Sequence, residues 1–597
     1  LFLDGLWDEL NKIKSFTSDV RKSRLEEFHN KIAALKFLDP ACGCGNFLVI
    51  SYRELRLLEI EVIKELLRGG EKLLDIEQYI KVNVDQFYGI EILEFPCRVA
   101  QTALWLMDHL MNLQIRDEFG QYYIRIPLRT SPSINNQNAL PLDWETIVPK
   151  TELSYILGNP PFLGYSVMSR VQKAEVENVF ENMKNCGTLD YVTAWYKKAA
   201  QYIQGTEIEV AFVSTNSICQ GEQVPALWPG LINKYGIKIN FAHNTFKWRN
   251  EARGKAAVYC VIIGFSMNDR TTKKLYHYAT ITSEPVESMV YQINAYLIEA
   301  PMIFIERREE PICKVSHMLK GSSPTDDGNF FLTEKEKNDL LEKDKSLSKT
   351  IRPFIGAKEY INKIPRYCIW LKNISPEKYN HSKEIKDRIV KIRQFREKSN
   401  RAATLKYANF PSLFSEIRQP NTDYILIPRH SSENRKYIPI GFVSKNVICG
   451  DSNMFIPNAT LYEFGVITST MHMAWMRYVC GRLEMRYRYS NVIVYNNFPW
   501  PSPTEKQKET IENLAQGVLD ARKIFPKLTY ADLYNINTAP PDLTKAHQKL
   551  DKAVEKAYGR EFDDDTQRVA YLFELYQKLS GELFKDEKKR GKGRKVK

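Results

Sequence analysis

The sequence is informative first for what it does not contain. No apolar run approaches the ~18 residues that a membrane-spanning helix requires, and no signal peptide is visible. The ten cysteines are scattered, and the close pair Cys42 and Cys44 has no second pair to complete a zinc site. No G-x-x-x-x-G-K-[ST] segment occurs and no third glycine stands at dinucleotide spacing, which disfavours ATP- and NAD-binding loops. We therefore expect a cytoplasmic protein with reduced cysteines, no metal site and no membrane contact.

The charge of the chain is one-sided and unevenly placed. The formal net charge is +13, and the last thirteen residues, 585–597, supply +6 of it. A terminal segment with so many like charges is typically disordered and attracts phosphate groups. We predict a disordered basic tail over residues 581–597. The remaining +7 is compatible with a nucleic-acid partner and does not demonstrate one.

An apolar strand runs into the tetrapeptide Asn159-Pro160-Pro161-Phe162. Two consecutive prolines fix the backbone and leave its carbonyls free to accept hydrogen bonds. Asn159 Oδ1 and the Pro160 carbonyl can then accept the two hydrogens of an exocyclic amine, while Phe162 stacks on the ring that carries the amine. The alternative interpretation is a strand followed by a stiff turn, which consecutive prolines also form.

A glycine-rich segment between Phe37 and Ile50 has the pattern strand, loop, helix. Its glycines allow a ligand to approach the backbone, and the following helix presents free N–H groups. The next apolar strand, residues 87–92, carries Glu91 near its end. In doubly wound sheets an acid at this place can accept ribose hydroxyls, although a solvated charge at the end of a strand is the alternative.

Taken together, these segments resemble the class I S-adenosylmethionine-dependent DNA adenine-N6 methyltransferases. The phrases DPACGCGNFL, GIEI and NPPF carry that resemblance, and the later phrases STNSICQGEQVPALWP and YRYSNVIVYNNFPWP are similar to MmeI-like (type IIL) restriction–modification proteins. The similarity extends from residue 1 to about residue 560. It implies a site-specific DNA-methyltransferase (adenine-specific), EC 2.1.1.72, which transfers the methyl group of S-adenosylmethionine to adenine N6 after flipping the base out of duplex DNA.

The fold implied by the resemblance is α/β. It comprises a Rossmann-like class I methyltransferase domain with a mostly parallel sheet, an α+β target-recognition domain and a C-terminal helical segment. Apolar strands and helices that alternate between residues 37 and 270 agree with such a sheet. The predicted boundaries are a helical leader 1–36, the methyltransferase domain 37–270, a connecting segment 271–350, the target-recognition domain 351–500, C-terminal helices 501–580 and the tail 581–597.

The resemblance also assigns roles to residues. The catalytic residues are expected at Asn159, Pro160, Pro161 and Phe162. Glu91 is expected to bind the ribose of the cofactor and Ile92 to contact its adenine. Asn138 matches a position that contacts the adenine amine of the cofactor, where many relatives carry Asp; a turn residue is the alternative. The other cofactor-binding candidates are Asp39, Ala41, Cys42, Gly43, Gly45, Asn46, Phe47 and Ala139.

A flipped base is expected to stack on aromatic side chains. Phe162 is expected on one face of the base. Phe246 is expected on the other, because it precedes the apolar strand 257–264, where the family's second stacking aromatic lies. Trp248 is the alternative, and either ring can instead belong to the core.

Recognition of the DNA sequence is implied at Glu484 and Arg486, where members of this subfamily pair two residues that read one base pair. Glu484 can accept from cytosine N4 and Arg486 can donate to guanine O6 and N7, which predicts a G·C pair. A simple surface ion pair is the alternative. Candidates for phosphate contacts, with solvated loop charge as their alternative, are Arg429, His430, Arg435 and Lys436.

Residue 1 is Leu, and the family's upstream tyrosine-threonine-serine motif is expected to be missing, together with the nuclease and helical spacer that precede it. An internal candidate for that motif is Phe16-Thr17-Ser18-Asp19. Double-stranded DNA is the expected partner of a monomer in a bacterial cytoplasm. Two other functions stay open: an RNA or protein-glutamine methyltransferase, because Asn-Pro-Pro-aromatic serves those enzymes too, and a DNA-recognition subunit with a non-functional methyltransferase fold.

Overall fold

The computed structural model describes residues 2–68, 76–120, 131–181, 183, 185–248 and 258–592, without the side chains of residues 18, 19 and 582–592. The chain divides into two compact units. The first comprises Leu1–Cys219 with Gln223–Phe304, and the second comprises Gln220–Glu222 with Ile305–Lys597. Among the described residues, no helix combines the length and the apolar character needed to cross a bilayer.

The first unit contains seven described helices and nine described strands. The helices are α1 (Leu3–Lys14), α2 (Ser18–Ala34), α3 (Asn46–Leu67), α4 (Glu94–Phe119), α5 (Arg170–Val179), α6 (Thr193–Tyr202) and α7 (Gln223–Pro229). The strands are β1 (Phe37–Asp39), β2 (Phe87–Glu91), β3 (Ser133–Asn136), β4 (Tyr155–Gly158), β5 (Glu209–Thr215), β6 (Lys238–Trp248), β7 (Val258–Ser266), β8 (Lys273–Tyr278) and β9 (Pro285–Val290).

These strands form one sheet in the order β3-β2-β1-β4-β5-β7-β6-β8-β9. Strands β1 to β5 pair in parallel, whereas β7 runs antiparallel to both β5 and β6. The strand order reverses at β1, which lies between β2 and β4. In open α/β sheets, ligands bind beyond the carboxyl ends of the strands at such a reversal. The fold therefore places the glycine loop, Glu91 and the Asn-Pro-Pro-Phe segment at one edge of the sheet.

The core of the first unit explains why its strands and helices form. β1 is buried along its whole length, and apolar side chains of α3 and α4, including Leu48, Leu55 and Leu104, pack in the same cluster. A buried charged group joins the two helices: Arg56 is fully buried and donates to Asn112 Oδ1 at 2.9 Å. Buried ions persist when they are paired and hydrogen-bonded, so this contact fixes α3 against α4.

The second unit combines small sheets with helices. Its strands are β10 (Leu319–Lys320), β11 (Phe331–Leu332), β12 (Ile351–Ile355), β13 (Tyr367–Ile369), β14 (Tyr424–Pro428), β15 (His430–Ser431), β16 (Gly441–Val443), β17 (Ile448–Cys449), β18 (Asn453–Pro457), β19 (Gly481–Leu483) and β20 (Arg486–Arg488). They form sheets in the orders β10-β18-β14-β16, β11-β13-β12-β17 and β15-β20-β19. The helices are α8 (Glu334–Lys343), α9 (Ala357–Asn362), α10 (Lys383–Glu397), α11 (Ala402–Tyr407), α12 (Leu461–Thr468), α13 (Thr470–Val479), α14 (Glu505–Lys523), α15 (Tyr530–Leu533), α16 (Pro541–Ala557) and α17 (Asp565–Lys592).

This architecture confirms the predicted fold class: a mostly parallel α/β sheet, then a mixed α/β region, then helices. Two details differ from the sequence prediction. The units divide at Phe304, because β8 and β9 extend the first sheet although they lie in the segment expected to be a connection. Helix α17 runs on to Lys592, through most of the expected disordered tail; residues 593–597 lie outside the described residues. The structure also does not describe the side chains of Ser18 and Asp19, which belong to the internal motif candidate. Ala257, the first residue of the predicted strand 257–264, lies outside the described residues altogether.

Candidate active site and recognition hairpin

Asp39 ends β1 and is 1 % exposed. Its Oδ1 accepts a hydrogen bond from the Ala41 backbone N–H at 3.0 Å, while Oδ2 is buried without a hydrogen-bond partner among the described residues. Burial, with a smaller contribution from the charge of Glu91, raises the pKa of Asp39 to about 7. A buried carboxylate oxygen with no donor is costly, so this atom is available to a donor on a ligand.

The glycine loop turns sharply between β1 and α3. Gly43 and Gly45 both have positive φ, at 54° and 83°, which side chains rarely adopt. A Cβ on Gly45 would lie 2.9 Å from the Ala100 Cβ, so only glycine fits there. Asn46 begins α3 directly after the loop, and Asn46 is exposed while Phe47 is half-buried. The free N–H groups of this helix end therefore face the loop region at the edge of the sheet.

Cys42 serves the structure of this loop. It is buried, its backbone N–H donates to the Ile90 carbonyl at 3.1 Å, and burial raises the pKa of its thiol far above the usual range. Such a thiol stays protonated and is not a nucleophile. Within the described parts of the chain, no group of three or more His, Cys, Asp and Glu side chains could hold a metal ion.

Glu91 at the end of β2 is tied to the glycine loop. Its Oε2 accepts from the Gly43 N–H at 3.0 Å and its Oε1 accepts from the Leu93 N–H at 2.9 Å. Each carboxylate oxygen retains a second lone pair that can accept from a ligand hydroxyl. Ile92, the next residue, is 61 % exposed. An acid and an apolar surface thus lie side by side next to the loop.

The Asn-Pro-Pro-Phe segment leaves β4 beside Asp39. A Cβ on Gly158, the last residue of β4, would lie 2.5 Å from Asp39 Oδ1, so the glycine permits this close approach. Asn159 is exposed, Pro160 is buried and Phe162 is half-buried. No hydrogen bond of the Asn159 side chain to another described residue occurs. The Asn159 amide is therefore available to hydrogen-bond a ligand. Asn159 directly follows Gly158, the residue that approaches the Asp39 carboxyl.

Two contacts that the sequence did not predict fix this segment and the glycine loop to α6. Asp190 is buried, and its Oδ1 accepts from the backbone N–H of Leu163, the residue after Phe162, at 3.0 Å. Trp195 Nε1 donates to the Pro40 carbonyl at 3.0 Å. Both residues belong to the sequence Leu-Asp-Tyr-Val-Thr-Ala-Trp at the start of α6. The only signal in the sequence is an acid and a tryptophan within an otherwise mostly apolar segment. The sequence does not show that these two side chains make hydrogen bonds, because their partners are distant along the chain.

Asn138 takes part in a network rather than standing free. Its Oδ1 accepts from the Leu140 N–H at 3.0 Å, as in a turn, and its Nδ2 donates to Glu175 Oε1 at 2.6 Å. Tyr191 donates to the other oxygen of Glu175. Ala139 is buried and accepts from Trp144 through its carbonyl. The turn interpretation of Asn138 is thus present in the structure, and its predicted contact with a cofactor stays a prediction.

Phe246 and Trp248 lie near the end of β6, and both are half-buried. The Phe246 ring stacks on Tyr278 of β8 with centroids 5.3 Å apart, and Trp248 lies 6.0 Å from Phe246. Neither ring belongs to the buried core. Stacking of a flipped base on one of them stays a prediction.

In the second unit, Glu484 and Arg486 lie at the tip of the hairpin β19–β20. Arg486 Nη2 is 3.0 Å from Glu484 Oε2, and the side chains are 50 % and 69 % exposed for Arg486 and Glu484. Glu484 has a φ of 58°, in the left-handed region. Glu484 and Met485 form the two-residue turn between β19 and β20, and such turns commonly require a positive φ, so reading of a base pair by Glu484 stays a prediction.

The same three-stranded sheet carries part of the predicted phosphate-contacting set. His430 of β15 pairs with Arg488 of β20, and the Tyr489 N–H donates to the Arg429 carbonyl at 2.7 Å. Burial and then the charges of three neighbouring arginines lower the pKa of His430. The Arg429 guanidinium is half-buried and donates to the Asp451 carbonyl at 3.0 Å. The structure therefore brings Arg429 and His430 to the hairpin and adds the exposed Arg488, which the sequence did not single out.

The remaining two candidates lie outside that sheet. Arg435 is half-buried, and its Nη1 donates weakly to Ser431 Oγ at 3.4 Å. Lys436 is exposed, with its Nζ 5.4 Å from the Tyr437 ring centroid. Among the described residues Lys436 has no ion-pair partner and is the more exposed of the two, and a phosphate contact stays a prediction for both Lys436 and Arg435.

The strand order, the glycine loop after β1, the acid at the end of β2 and the Asn-Pro-Pro-Phe segment after β4 define a class I methyltransferase domain. Family models agree along the chain: residues 14–277 match "MmeI, DNA-methyltransferase domain", residues 299–502 match "MmeI, target recognition domain" and residues 503–584 match "MmeI, C-terminal domain".

Two known proteins are similar over most of the chain. The structure of the type IIL restriction–modification enzyme MmeI in complex with DNA is 51 % identical with a TM-score of 0.90, covering 97 % of this chain and 77 % of that chain. DNA methyltransferase A of Bacillus subtilis (strain 168) is 38 % identical over 563 residues, which are 94 % of this chain and 63 % of the relative. The chain belongs to the MmeI family. It spans less than two thirds of the length of the B. subtilis relative.

Proposed function

We propose that this chain is an adenine-specific DNA methyltransferase that transfers the methyl group of S-adenosylmethionine to adenine N6 at a defined site in duplex DNA. The observation that carries the proposal is the approach of Gly158 to Asp39, which brings the residue after Gly158, Asn159, near the end of β1 where the glycine loop begins. The family membership and the DNA bound to the solved relative support DNA as the substrate.

The residues at the edge of the sheet fit the cofactor. The buried Oδ2 of Asp39 lacks a donor among the described residues, and an ammonium group at the methionine end would supply one. Glu91 can accept ribose hydroxyls with the lone pairs that Gly43 and Leu93 leave unused. Ile92 offers an exposed apolar surface for the adenine ring. When bound, S-adenosylmethionine supplies an activated methyl group on sulfonium.

The chain's own residues then orient the amine that attacks. Adenine N6 is a poor nucleophile because its lone pair is delocalised into the ring. Hydrogen bonds from the amine to Asn159 Oδ1 and the Pro160 carbonyl favour the pyramidal form, in which the lone pair points away from the ring. Phe162 holds the ring plane by stacking. Positioning and preorganised acceptors of this kind supply most of the rate, and no cysteine nucleophile is required.

The base must leave the duplex for this geometry to form, which costs a few kcal/mol of unstacking. Phe162 on one face and Phe246 or Trp248 on the other would offset that cost. In the second unit, Glu484 and Arg486 would read one G·C pair, while Arg429, Lys436 and Arg488 contact phosphates. The reaction would take place in a bacterial cytoplasm, where the protein would protect DNA as the modification part of a restriction–modification system.

The first test measures tritium transfer from labelled S-adenosylmethionine to duplex DNA, alongside calorimetry of cofactor binding. Asn159→Ala should lower the transfer rate at least about 100-fold, because one acceptor for the amine is lost, while cofactor affinity stays nearly unchanged. The matched control is Asn178→Ala, at an exposed position of α5. An Asn159→Ala variant that keeps most of its activity would contradict the assigned role.

The other candidate functions give different results in the same assay. Label that appears in RNA or protein instead of DNA would identify the RNA or protein-glutamine methyltransferase. Tight DNA binding without cofactor binding would identify a recognition subunit whose methyltransferase fold is not functional.

A further inference from the structure

A large cavity in the second unit lies apart from the recognition hairpin. Its volume is about 1070 Å³, and its wall is formed by the chain before β12, the turn after β13 and the turn between β16 and β17. Five cationic side chains line it: Lys349, Arg352, Lys372, Lys378 and Lys445. No carboxylate belongs to its described lining. The cavity is thus a concentrated positive site.

The four lysines are exposed, and none has an ion-pair partner among the residues that the structure describes. Two acids next to the cavity form no ion pair with its lysines in the described part of the chain. Asp344 accepts from His381 at 2.6 Å and from Ser346, and Asp423 accepts from the backbone N–H of Lys445 at 2.9 Å. Unpaired like charges around one cavity repel one another, so an anionic ligand that neutralises them is energetically favoured.

The backbone beneath these charges is fixed. The Arg352 guanidinium donates to the Asn446 carbonyl at 2.9 Å and to the Lys445 carbonyl at 3.3 Å. Gln419 Nε2 donates to the Lys445 carbonyl at 3.0 Å and to the Val447 carbonyl at 2.8 Å. Arg352 is therefore committed to the backbone of the turn, and Lys445 stands on a preorganised support with a free ammonium group.

The cavity is connected to the recognition hairpin by a short piece of chain. β17 leads from the turn at Lys445 to Asp451, whose carbonyl accepts from Arg429 beside the hairpin. Six residues of extended chain span at most about 20 Å. Along one strand of B-DNA that distance corresponds to about six nucleotides.

We propose that this cavity binds the phosphodiester backbone of the DNA flanking the recognition sequence. The inference rests on the proposed function, since it assigns the same DNA a second contact. Phosphate groups match the lysines in charge, and the short chain between Lys445 and Asp451 keeps that side of the cavity within about six nucleotides' length of Arg429, so the contact is expected in the DNA that flanks the bases read by the hairpin. The contact would add affinity without adding sequence information.

The test replaces Lys349, Lys372 and Lys445 with Gln and measures DNA affinity over a range of salt concentrations. The slope of log affinity against log salt should fall by about two to three, because each lysine that contacts a phosphate contributes about 0.9. Affinity at about 0.1 M salt should fall roughly tenfold or more. The matched control replaces Lys545, Lys549 and Lys552 of α16, which are exposed, and should leave the slope unchanged.

A second measurement compares duplexes whose flanks are short or extend about eight base pairs beyond the site, a length chosen to exceed the reach above. The wild-type chain should gain affinity from the longer flanks, and the cavity variant should not. Equal slopes for the cavity and control variants would overturn the proposal. So would a cavity variant that loses calorimetric binding of inorganic tripolyphosphate while its DNA slope stays normal, since the site would then hold a small polyanion. A wild-type chain that transfers no methyl group would contradict the proposed function alone, because the salt slope still reports phosphate contacts.

Discussion

Asp39 joins the two halves of the candidate site at the scale of a single residue. One of its oxygens holds the Ala41 backbone, and it also defines the space that Gly158 must leave empty. Burial raises its pKa to about 7, so its charge changes in the range where many bacterial enzymes work. If Asp39 accepts from the cofactor as proposed, cofactor binding should depend on pH.

The sign of that dependence follows from the raised pKa. Below pH 7 Asp39 is neutral and attracts an ammonium group weakly, and as the pH rises through 7 the carboxylate forms. Cofactor affinity should increase on the order of twentyfold between pH 5.5 and 7.5, measured by calorimetry. The free chain should lose stability as the pH rises from about 4 to about 7, because over that range the unfolded chain has released the Asp39 proton while the folded chain still holds it, and stability should level off above that range. Asn in place of Asp39 should flatten both curves; an unchanged pH profile in that variant would assign the titration to another group.

Asp190 is predicted to be a positioning residue for the catalytic segment. Asp190→Ala removes the acceptor that holds the Leu163 N–H, so the transfer rate should fall about tenfold to 100-fold while cofactor affinity changes little. Asp190→Asn keeps an acceptor oxygen and should recover part of the rate. Asn240→Ala is the control, because it removes a buried hydrogen-bonding side chain elsewhere in the unit and should destabilise without changing the rate. Equal rate losses in the Asp190→Ala and Asn240→Ala variants would reduce Asp190 to a merely structural role.

At the scale of secondary-structure elements, the hairpin β19–β20 has one set of side chains that pack against the protein and another set that is exposed and can contact a ligand. Met485 and Tyr487 are buried, while Glu484, Arg486 and Arg488 are exposed. Alternate residues of a strand point to opposite faces, so the inward side chains hold the hairpin and the outward ones stay available. Changes at the outward positions should therefore affect recognition more than stability.

Glu484→Gly tests this separation. Glycine adopts the left-handed conformation without strain, so the free energy of unfolding should rise or stay constant, within about 1 kcal/mol, when thermal denaturation is measured. The base preferred at one position should relax, as read by methylation-sensitive sequencing of DNA from cells that express the variant. Retention of the full target specificity would exclude Glu484 as a reading residue.

Some of these elements could be predicted from the sequence alone and others could not. The glycine loop and the Asn-Pro-Pro-Phe segment are predictable because their chemistry is local to a few consecutive residues. The assignment of β8 and β9 was not, since a strand pattern does not reveal which sheet the strand joins. Asp190 was missed for the same physical reason: its partner Leu163 is 27 residues away. Helix α17 extends into the expected tail because Lys and Glu, although highly charged, are good helix formers.

At the scale of the whole molecule, the proposed chemistry and the proposed reading belong to different compact units. The first unit has its own core around β1, α3 and α4, and the second has separate cores around β12–β13 and around β14. The positive charge does not follow the division into two units, because residues 585–597 alone supply nearly half of the net +13.

Removal of residues 585–597 should act on affinity alone. The slope of log affinity against log salt should decrease, by up to about five if all six net charges meet phosphates. The methylated sequence and the transfer rate at saturating DNA should not change, because the segment contains none of the candidate site residues. A variant with an altered target sequence would place that terminal segment in recognition instead.

The hairpin has a consequence for how such proteins diverge. Its buried side chains, Met485 and Tyr487, do not include the outward residues, so substitution at Glu484 and Arg486 is expected to leave the fold intact. If these two residues read a base pair, then two codon changes are enough to change the DNA sequence that the chain recognises. Related proteins can then diverge in target sequence while they keep the same fold.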